Sequence, residues 1–242
     1  MMLRGIIHPR MVIVKGFERP PREIVDGFTG HASADVHEAM GKRNAMAPCI
    51  DHVGGPPQLC GPACTVRVPA GDNMMAHVGV EYAEPGDVLV VAAESDRAAT
   101  WGELSTRNAM RRGIDGIVTG GNVRDSAWLS GSEFSVFAPA VSQAGAVKET
   151  PGSVNVSVVV GDVSVSPGDI VVGDADGVTV VPRQEAATIL EATERKVEHE
   201  EDIRRRIDDG ESLCEILGLE ETLVDHDISI VDDPRESFDP DR

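Results

Sequence analysis

Arg124 and Asp125 stand side by side after a glycine pair, Gly120-Gly121, in the segment TWGELSTRNAMRRGIDGIVTGGNVRDSAW. An arginine beside a carboxylate suits chemistry in which negative charge develops on a substrate oxygen. The guanidinium offers charge-assisted hydrogen bonds to that oxygen. The carboxylate can hold a hard cation such as Mg²⁺, which prefers oxygen ligands and keeps several waters. Earlier in the same segment, Gly102 lets the backbone approach a ligand closely, and the residues after it, Glu103-Leu104-Ser105, open a helix. Free N–H groups at a helix start, at the positive end of its dipole, attract a small carboxylate or phosphate, and the amides of Leu104 and Ser105 are the natural donors. The same residues also fit a surface ion pair in which Asp125 only caps a helix starting at Ser126. Residue types alone leave both readings open.

The elements around these residues run loop, helix, strand, loop, helix start. The strand IDGIV ends at the glycine pair, and ligands in α/β proteins bind just beyond the carboxyl ends of strands, where Arg124 and Asp125 fall. Short β-branched runs bounded by turns predict further strands at 65–68, 88–91, 154–160, 163–165, 170–172 and 178–181, with 116–119 among them. Two of these open alike, PGDVLVV from Pro85 and PGDIVVG from Pro167, a likeness that turn chemistry explains without a repeat. Helical spacing predicts a helix within 20–40 ending at Gly41, a second over 104–112, and a long terminal one from 184 to about 207 that stops at Gly210. The proline-rich connection PCIDHVGGPPQLCGP, 48–62, is expected to be irregular. From 220 on the chain is acidic, with Pro234 and Pro240, and reads as a frayed tail. The organisation expected is a single α/β domain, 1–219, followed by an acidic tail, 220–242.

Composition excludes several classes of function. The 242 residues carry 41 acidic and 22 basic side chains, a net charge of −19 that opposes nucleic-acid phosphates and anionic membranes alike. No apolar run approaches the ~20 residues needed to cross a bilayer, and the N-terminus lacks the apolar core of a signal peptide. A cytoplasmic protein is expected. Its four cysteines, Cys49, Cys60, Cys64 and Cys214, lack paired zinc-site spacing and read as reduced thiols. Acidic excess, lysine only at 15, 42, 148 and 196, and 3% aromatics suit work in concentrated salt, where self-repulsion is screened, although an ordinary acidic protein shares much of this.

Around these motifs the chain resembles the 4-hydroxy-4-methyl-2-oxoglutarate / 4-carboxy-4-hydroxy-2-oxoadipate aldolases, which share the fold of regulator of ribonuclease activity A. The likeness covers roughly 34–210. It is carried by ADVHEAMG from Ala34, PAGDNMMAHVGVEYAEPGDVLVV from Pro69, Gly102-Glu103-Leu104, Arg124-Asp125, AVKETPGSVNV from Ala146 and PGDIVVGDADGVTVVPR from Pro167. The resemblance implies an RraA-like α/β fold: a central sheet or barrel-like core flanked by helices, with a projecting C-terminal helix. It also implies roles: Asp125 as the ligand of Mg²⁺, Mn²⁺ or another divalent metal, Arg124 on the pyruvate moiety and its enolate, and the amides of Leu104 and Ser105, beside Gly102, on the substrate carboxylate. Glu103 stands where these aldolases usually carry Asp, tied to a water in the proton path. Ser105 replaces a usual Leu, and Gly120 stands where many members have Asp. An acidic residue from a neighbouring subunit's last helix maps to Glu200, so a homotrimer or homohexamer with its site between subunits is expected.

Spacing independently places Ala186, Leu190, Thr193 and Val197 on one stripe that Glu200 continues, although an i,i+4 pair with Arg204 on a solvated face explains Glu200 as well. Glu201 is expected to pair with Arg205. His37 reads as structural, His77 as supporting the pocket or core, and His199 as pointing off Glu200's face.

The reaction implied is a metal-dependent retro-aldol cleavage of a hydroxy-keto diacid to pyruvate. A water held by the cation or by Glu103 removes the C4 hydroxyl proton, and oxaloacetate decarboxylation follows as a side activity. Neither loop contains a lysine for a Schiff base. The rival is a non-catalytic ring protein on the same scaffold that binds and inhibits an RNA-processing enzyme. A third possibility, a methyltransferase-like role, finds no glycine-rich cofactor loop.

Overall fold

The computed structural model describes residues 11–93, 97–226 and 228. The chain forms two compact units that divide between Glu194 and Arg195.

The first unit opens with α1 (Arg22–Phe28) and α2 (Ser33–Ala39). The helix expected within 20–40 is therefore two, because Gly30 takes a left-handed φ of 89° between them. Next come β1 (Asp51–Gly54) and β2 (Leu59–Val68). This corrects the expectation of an irregular 48–62, since Pro62 lies inside β2. Its neighbour Ala63 donates its N–H to Asp169 O. Successive residues of a strand face opposite edges, so Pro62 turns its missing donor to the side where pairing with the next strand begins only at Ala63–Val88.

Three strand–helix alternations follow: α3 (Met74–Tyr82), β3 (Val88–Ala93) and β4 (Ala99–Trp101); α4 (Glu103–Arg111), β5 (Gly116–Thr119) and β6 (Asn122–Val123); α5 (Ser126–Leu129) and β7 (Ser135–Ala138). The rest of the unit is β8 (Ser153–Val154), β9 (Val158–Val160), β10 (Val163–Val165), β11 (Ile170–Asp174), β12 (Gly177–Val181) and the start of α6 (Ala186–Asp208). The run expected over 154–160 breaks in two at Asn155, whose φ is 56°.

The central sheet runs β1-β7-β5-β3-β2-β11-β12, with β8 also on β2. Its middle pairs β2/β3, β3/β5 and β5/β7 are parallel, and its flanks are antiparallel. The end strands β1 and β12 touch, so the sheet curls toward a half-barrel. Period-2 alternation supplies both faces. Leu89, Val91, Cys64, Val66 and Ile117 pack with Met75, Ala76, Val80 and Ala109 of the helices on one face. Val88, Val90, Ala63 and Val118 meet Val158, Val163, Val171 and Val180 inside the curl on the other. A third cluster seats Val25, Phe28, Val36, Ile189 and Leu190 on Ile170 and Val172.

The two Pro-Gly-Asp segments are indeed one turn used twice. Gly86 and Gly168 have φ of 87° and 86°, and Asp87 and Asp169 accept from the amides of Glu84 and Ser166, each at 2.8 Å. Positive φ at the third turn position calls for glycine, which explains the shared motif.

All four cysteines are free. Burial pushes the Cys60 thiol up to about 11 and the Cys64 thiol up to about 12, which makes both poor nucleophiles at neutral pH.

In the second unit, the remainder of α6 leads through Gly210 (φ 99°) to α7 (Leu213–Ile216), begun by a Ser212–Glu215 capping box, and α8 (Leu219–Asp225). The segment expected to fray from 220 thus begins as helix, while Pro234 and Pro240 lie outside the described residues. No helix among the described residues is long and apolar enough to cross a membrane.

Candidate functional site

The site begins with Trp101, a large side chain that is fully buried. Its indole N–H donates to Thr106 Oγ1 at 2.7 Å, and its ring stacks on Phe134 with centroids 6.1 Å apart. Deleting so buried an aromatic usually costs about 3–5 kcal/mol. This anchor fixes the chain just before Gly102, and Thr106 holds Gly102 O through both its amide and its hydroxyl, each at 3.1 Å. The first turn of α4 is therefore rigid.

A small parallel sheet joins this loop to the next. β4 pairs with β6, and Arg124 N donates to Trp101 O at 3.0 Å. Arg124 and Asp125 follow the carboxyl end of β5, as the sequence led one to expect, and the Gly102 loop follows β3.

Asp125 occupies the left-handed region at φ 61°, ψ 35°. It sits at the N-cap position of α5, yet its side chain makes no capping bond there. Instead its Oδ2 accepts the Glu103 amide of α4 at 3.0 Å. The structure thus departs from the simple cap: the aspartate reaches across to the other loop. A non-glycine residue in this strained conformation is a recurrent feature of functional loops. Arg124 Nε lies 3.7 Å from the same Oδ2, and both side chains remain substantially exposed, at 49% and 39%.

Gly102 is required by this approach rather than by its backbone angles. A Cβ placed there would lie 2.6 Å from Asp125 Oδ2 and 2.9 Å from Arg124 Cγ. At Gly120, by contrast, a Cβ would meet only ordinary contacts, the nearest at 3.7 Å, so no packing demands glycine there.

With the Glu103 amide taken by Asp125 and the Thr106 amide by Gly102, the amides of Leu104 and Ser105 meet no acceptor among the described residues. The Leu104 side chain is 76% exposed and Ser105 is buried. A cavity of about 350 Å³ opens against Arg124, Asp125, Val141, Ser142 and Gln143. A larger one, about 670 Å³, opens elsewhere, beside Phe28, Cys60, Asp115 and Asp174. There Asp174 is already satisfied by Ser33 and by the Asp176 amide, and no arginine or lysine lines it. The smaller cavity has the chemistry.

Among the described residues no group of three or more His, Cys, Asp or Glu side chains forms a metal cage. The donor set at Asp125 nevertheless suits a hard cation. Its Oδ2 is occupied, its Oδ1 meets no described donor, and a single carboxylate oxygen completed by water and a chelating substrate is a normal Mg²⁺ arrangement.

The other expected residues are placed as follows. Glu103 Oε1 accepts from Arg107 Nε at 2.8 Å, and that guanidinium lies 4.5 Å over the Trp128 ring, so the carboxylate is held along its own helix with Oε2 remaining. Glu200 belongs to the second unit, where it pairs with Lys196 and, at 3.1 Å, with Arg204. Glu201 pairs with Arg204 at i,i+3 rather than with Arg205, which takes Asp202 instead. His37 Nδ1 sits 3.0 Å from Arg43 O, in keeping with a structural role.

Residues that spacing did not single out adjoin the site. The segment after β7 runs along both loops, with Val141 bridged to Val123, Gly145 to Ala99 and Val147 to Asp72. A Cβ at Gly145 would lie 3.5 Å from Arg124 Nη1. Asn73 Nδ2 donates to Thr100 O at 3.2 Å. Buried Asp72 accepts the amides of Met74, Glu149 and Thr150. Burial acts to raise its pKa, and these amides outweigh it, holding the carboxyl below its ordinary range. The only hint in the sequence was a polar Asp-Asn pair directly before an apolar helix.

Comparison with known proteins places the chain in a family. Residues 33–180 match the model of the RraA-like family, described as Aldolase/RraA. A protein of Halalkalibacterium halodurans named "Putative 4-hydroxy-4-methyl-2-oxoglutarate aldolase" is 37% identical over 176 residues, 72% of this chain and 84% of that one. A Streptomyces coelicolor structure, described as an unusual member of the RNase ES inhibitor RraA protein family, superposes with a TM-score of 0.70 at 28% identity, covering 78% of this chain and 99% of that one. The RNA-processing inhibitor RraA of Thermus thermophilis does so with a TM-score of 0.58 at 29% identity, covering 62% and 92%. With more than half its length matched, this chain belongs to the RraA-like, Aldolase/RraA family.

Proposed function

We propose that the site cleaves the C3–C4 bond of a 4-hydroxy-2-oxo diacid, of the 4-hydroxy-4-methyl-2-oxoglutarate type, to release pyruvate, with Mg²⁺ or Mn²⁺ held at Asp125. The observation that carries this is the bond from Glu103 N to Asp125 Oδ2. It sets a half-free carboxylate and the Arg124 guanidinium beside two open amides of a helix start.

The amides of Leu104 and Ser105 receive the substrate's 1-carboxylate, at the positive end of α4. Arg124 takes the 2-oxo oxygen and stabilises the charge that gathers there as the bond breaks. A divalent cation, when bound, adds Lewis-acid polarisation of the same keto acid. Glu103 keeps one carboxylate oxygen beyond its pair with Arg107 and orders the water that returns a proton to C3. Glu200 of the partner subunit completes the site in a trimer or hexamer. Oxaloacetate passes through the same enolate on losing CO₂, so it is decarboxylated as a side reaction.

The test is pyruvate release from oxaloacetate and from 4-hydroxy-4-methyl-2-oxoglutarate, followed through a coupled dehydrogenase, with EDTA and with Mg²⁺ or Mn²⁺ restored. Cation-dependent release from both is expected. Release from neither, under any cation, overturns the reading in favour of a binding protein that inhibits an RNA-processing enzyme. Gly102→Ala checks the geometry separately. Its methyl meets Asp125 Oδ2 and Arg124 Cγ, side-chain atoms of the two site residues and no backbone, so both side chains must shift while the fold is kept. Turnover should nevertheless fall by roughly 10²-fold, as expected when reacting groups are displaced by about an ångström.

A further inference from the structure

The cavity that Arg124 and Asp125 line has a second wall, Val141, Ser142 and Gln143, to which the reaction described above gives no task. Backbone bonds fix this wall to the site. Val123 N donates to Ala140 O at 3.0 Å and Ser142 N to Val123 O at 2.8 Å, so the segment lies along β6. Two residues on, Ala99 N donates to Ala144 O at 2.7 Å. Residues 140–144 are thus tied to β6 and to β4, the strands that lead into the two site loops, whatever side chains they carry.

The wall offers hydrogen-bond donors that the protein itself does not use. Ser142 Oγ accepts the Ala144 amide at 3.2 Å, which leaves its hydroxyl hydrogen to donate elsewhere. The Gln143 carboxamide carries two N–H donors and meets no acceptor among the described residues. An exposed glutamine needs no partner but water; this one is set apart by sharing a cavity with Arg124 and Asp125. Val141, 51% exposed, adds an apolar surface beside them. No lysine lines the cavity, and no arginine but Arg124. A hydroxyl, a carboxamide and an isopropyl group side by side match a carboxylate and a methyl borne on one carbon.

We infer that Ser142 and Gln143 set specificity for the departing half of the substrate by donating to the carboxylate on C4, with Val141 against the C4 methyl. This rests on the lyase reading above and deepens it. In that reading the Leu104 and Ser105 amides take the 1-carboxylate and Arg124 the 2-oxo oxygen, which leaves the substituents of C4 to the remaining wall. Hydrogen bonds to an ionised acceptor are the stronger kind, so two neutral donors suffice to favour a diacid. Their role is binding and not chemistry. The C4 carboxylate leaves with its charge unchanged, so the two side chains hold it alike before and during cleavage. Such uniform binding acts on KM.

The test compares 4-hydroxy-4-methyl-2-oxoglutarate with 4-hydroxy-2-oxopentanoate, which keeps the C4 hydroxyl and methyl but has hydrogen in place of the carboxylate. The full-length protein with Mg²⁺ should favour the diacid. In Gln143→Leu the ratio of the two kcat/KM values should fall by about 10- to 10²-fold, the worth of one hydrogen bond to a charged group, chiefly through the KM of the diacid. Gln143→Glu should lower the ratio further, because like charges then meet. Ser142→Ala should move it in the same direction. Turnover of the monoacid by the same preparations reports that the variants fold. A wild type without the preference, a ratio unmoved in both Gln143 variants, or a loss shared by both substrates overturns this inference and leaves the lyase reading standing. A wild-type protein that cleaves neither substrate overturns the lyase reading and this inference with it.

Discussion

Asp125→Ala should reduce pyruvate release to background at every Mg²⁺ concentration, while Asp125→Asn should lose the activity and keep the loop in place. The two substitutions separate two jobs of one side chain. Oδ2 ties the 122–125 loop to α4 through the Glu103 amide, and in the proposed reading Oδ1 is left to a cation. An asparagine oxygen still accepts that amide, and asparagine tolerates the left-handed backbone at φ 61°. Alanine there costs about 1–2 kcal/mol in backbone strain and removes the tie as well. Amide exchange of Glu103 should therefore be protected in wild type and in Asp125→Asn but not in Asp125→Ala, whereas the kinetic assay should show both variants inactive. Near-normal, cation-dependent turnover in Asp125→Asn would contradict a charge-based role for this residue.

The contrast between fold and site shows what a sequence states directly. Buried parallel strands were legible because residues 116–119 and the 88–91 run are all apolar or β-branched, the signature of a strand covered on both faces. Where one positive-φ residue redirects the chain, at Gly30 and Asn155, helical or β periodicity continued across the break and hid it. Pro62 misled in the opposite direction, because a missing donor matters only on the edge that is paired. For the site, Arg124 and Asp125 were visible as a pair, but nothing in their spacing said that the aspartate would skip its own helix and fasten α4. That choice depends on Gly102, far away in sequence and bare of a Cβ. Asn73 was harder still. Its bond to the Thr100 carbonyl joins segments 27 residues apart, which only the packed chain reveals.

For Arg124→Ala, kcat should fall by about 10²–10³-fold, with a smaller change in KM, the loss seen when one donor to a developing oxyanion is removed. The size of the effect decides between the two readings of the residue. If Arg124 were only the ion-pair partner of Asp125, the pair would be half-exposed, 3.7 Å long and screened by solvent. Such pairs contribute about 0–1 kcal/mol, no more than roughly 5-fold in any equilibrium, and less in high salt. A donor that meets its charge only as the carbon–carbon bond breaks acts on kcat and is indifferent to that ground-state pairing. Arg124→Lys sharpens the test, since it keeps the charge but gives up the planar fork that reaches past Gly145. Partial recovery in the lysine variant points to charge as the main requirement, and loss equal to alanine points to the fork. A drop of less than ~5-fold in Arg124→Ala, abolished by salt, would return the residue to the surface ion pair.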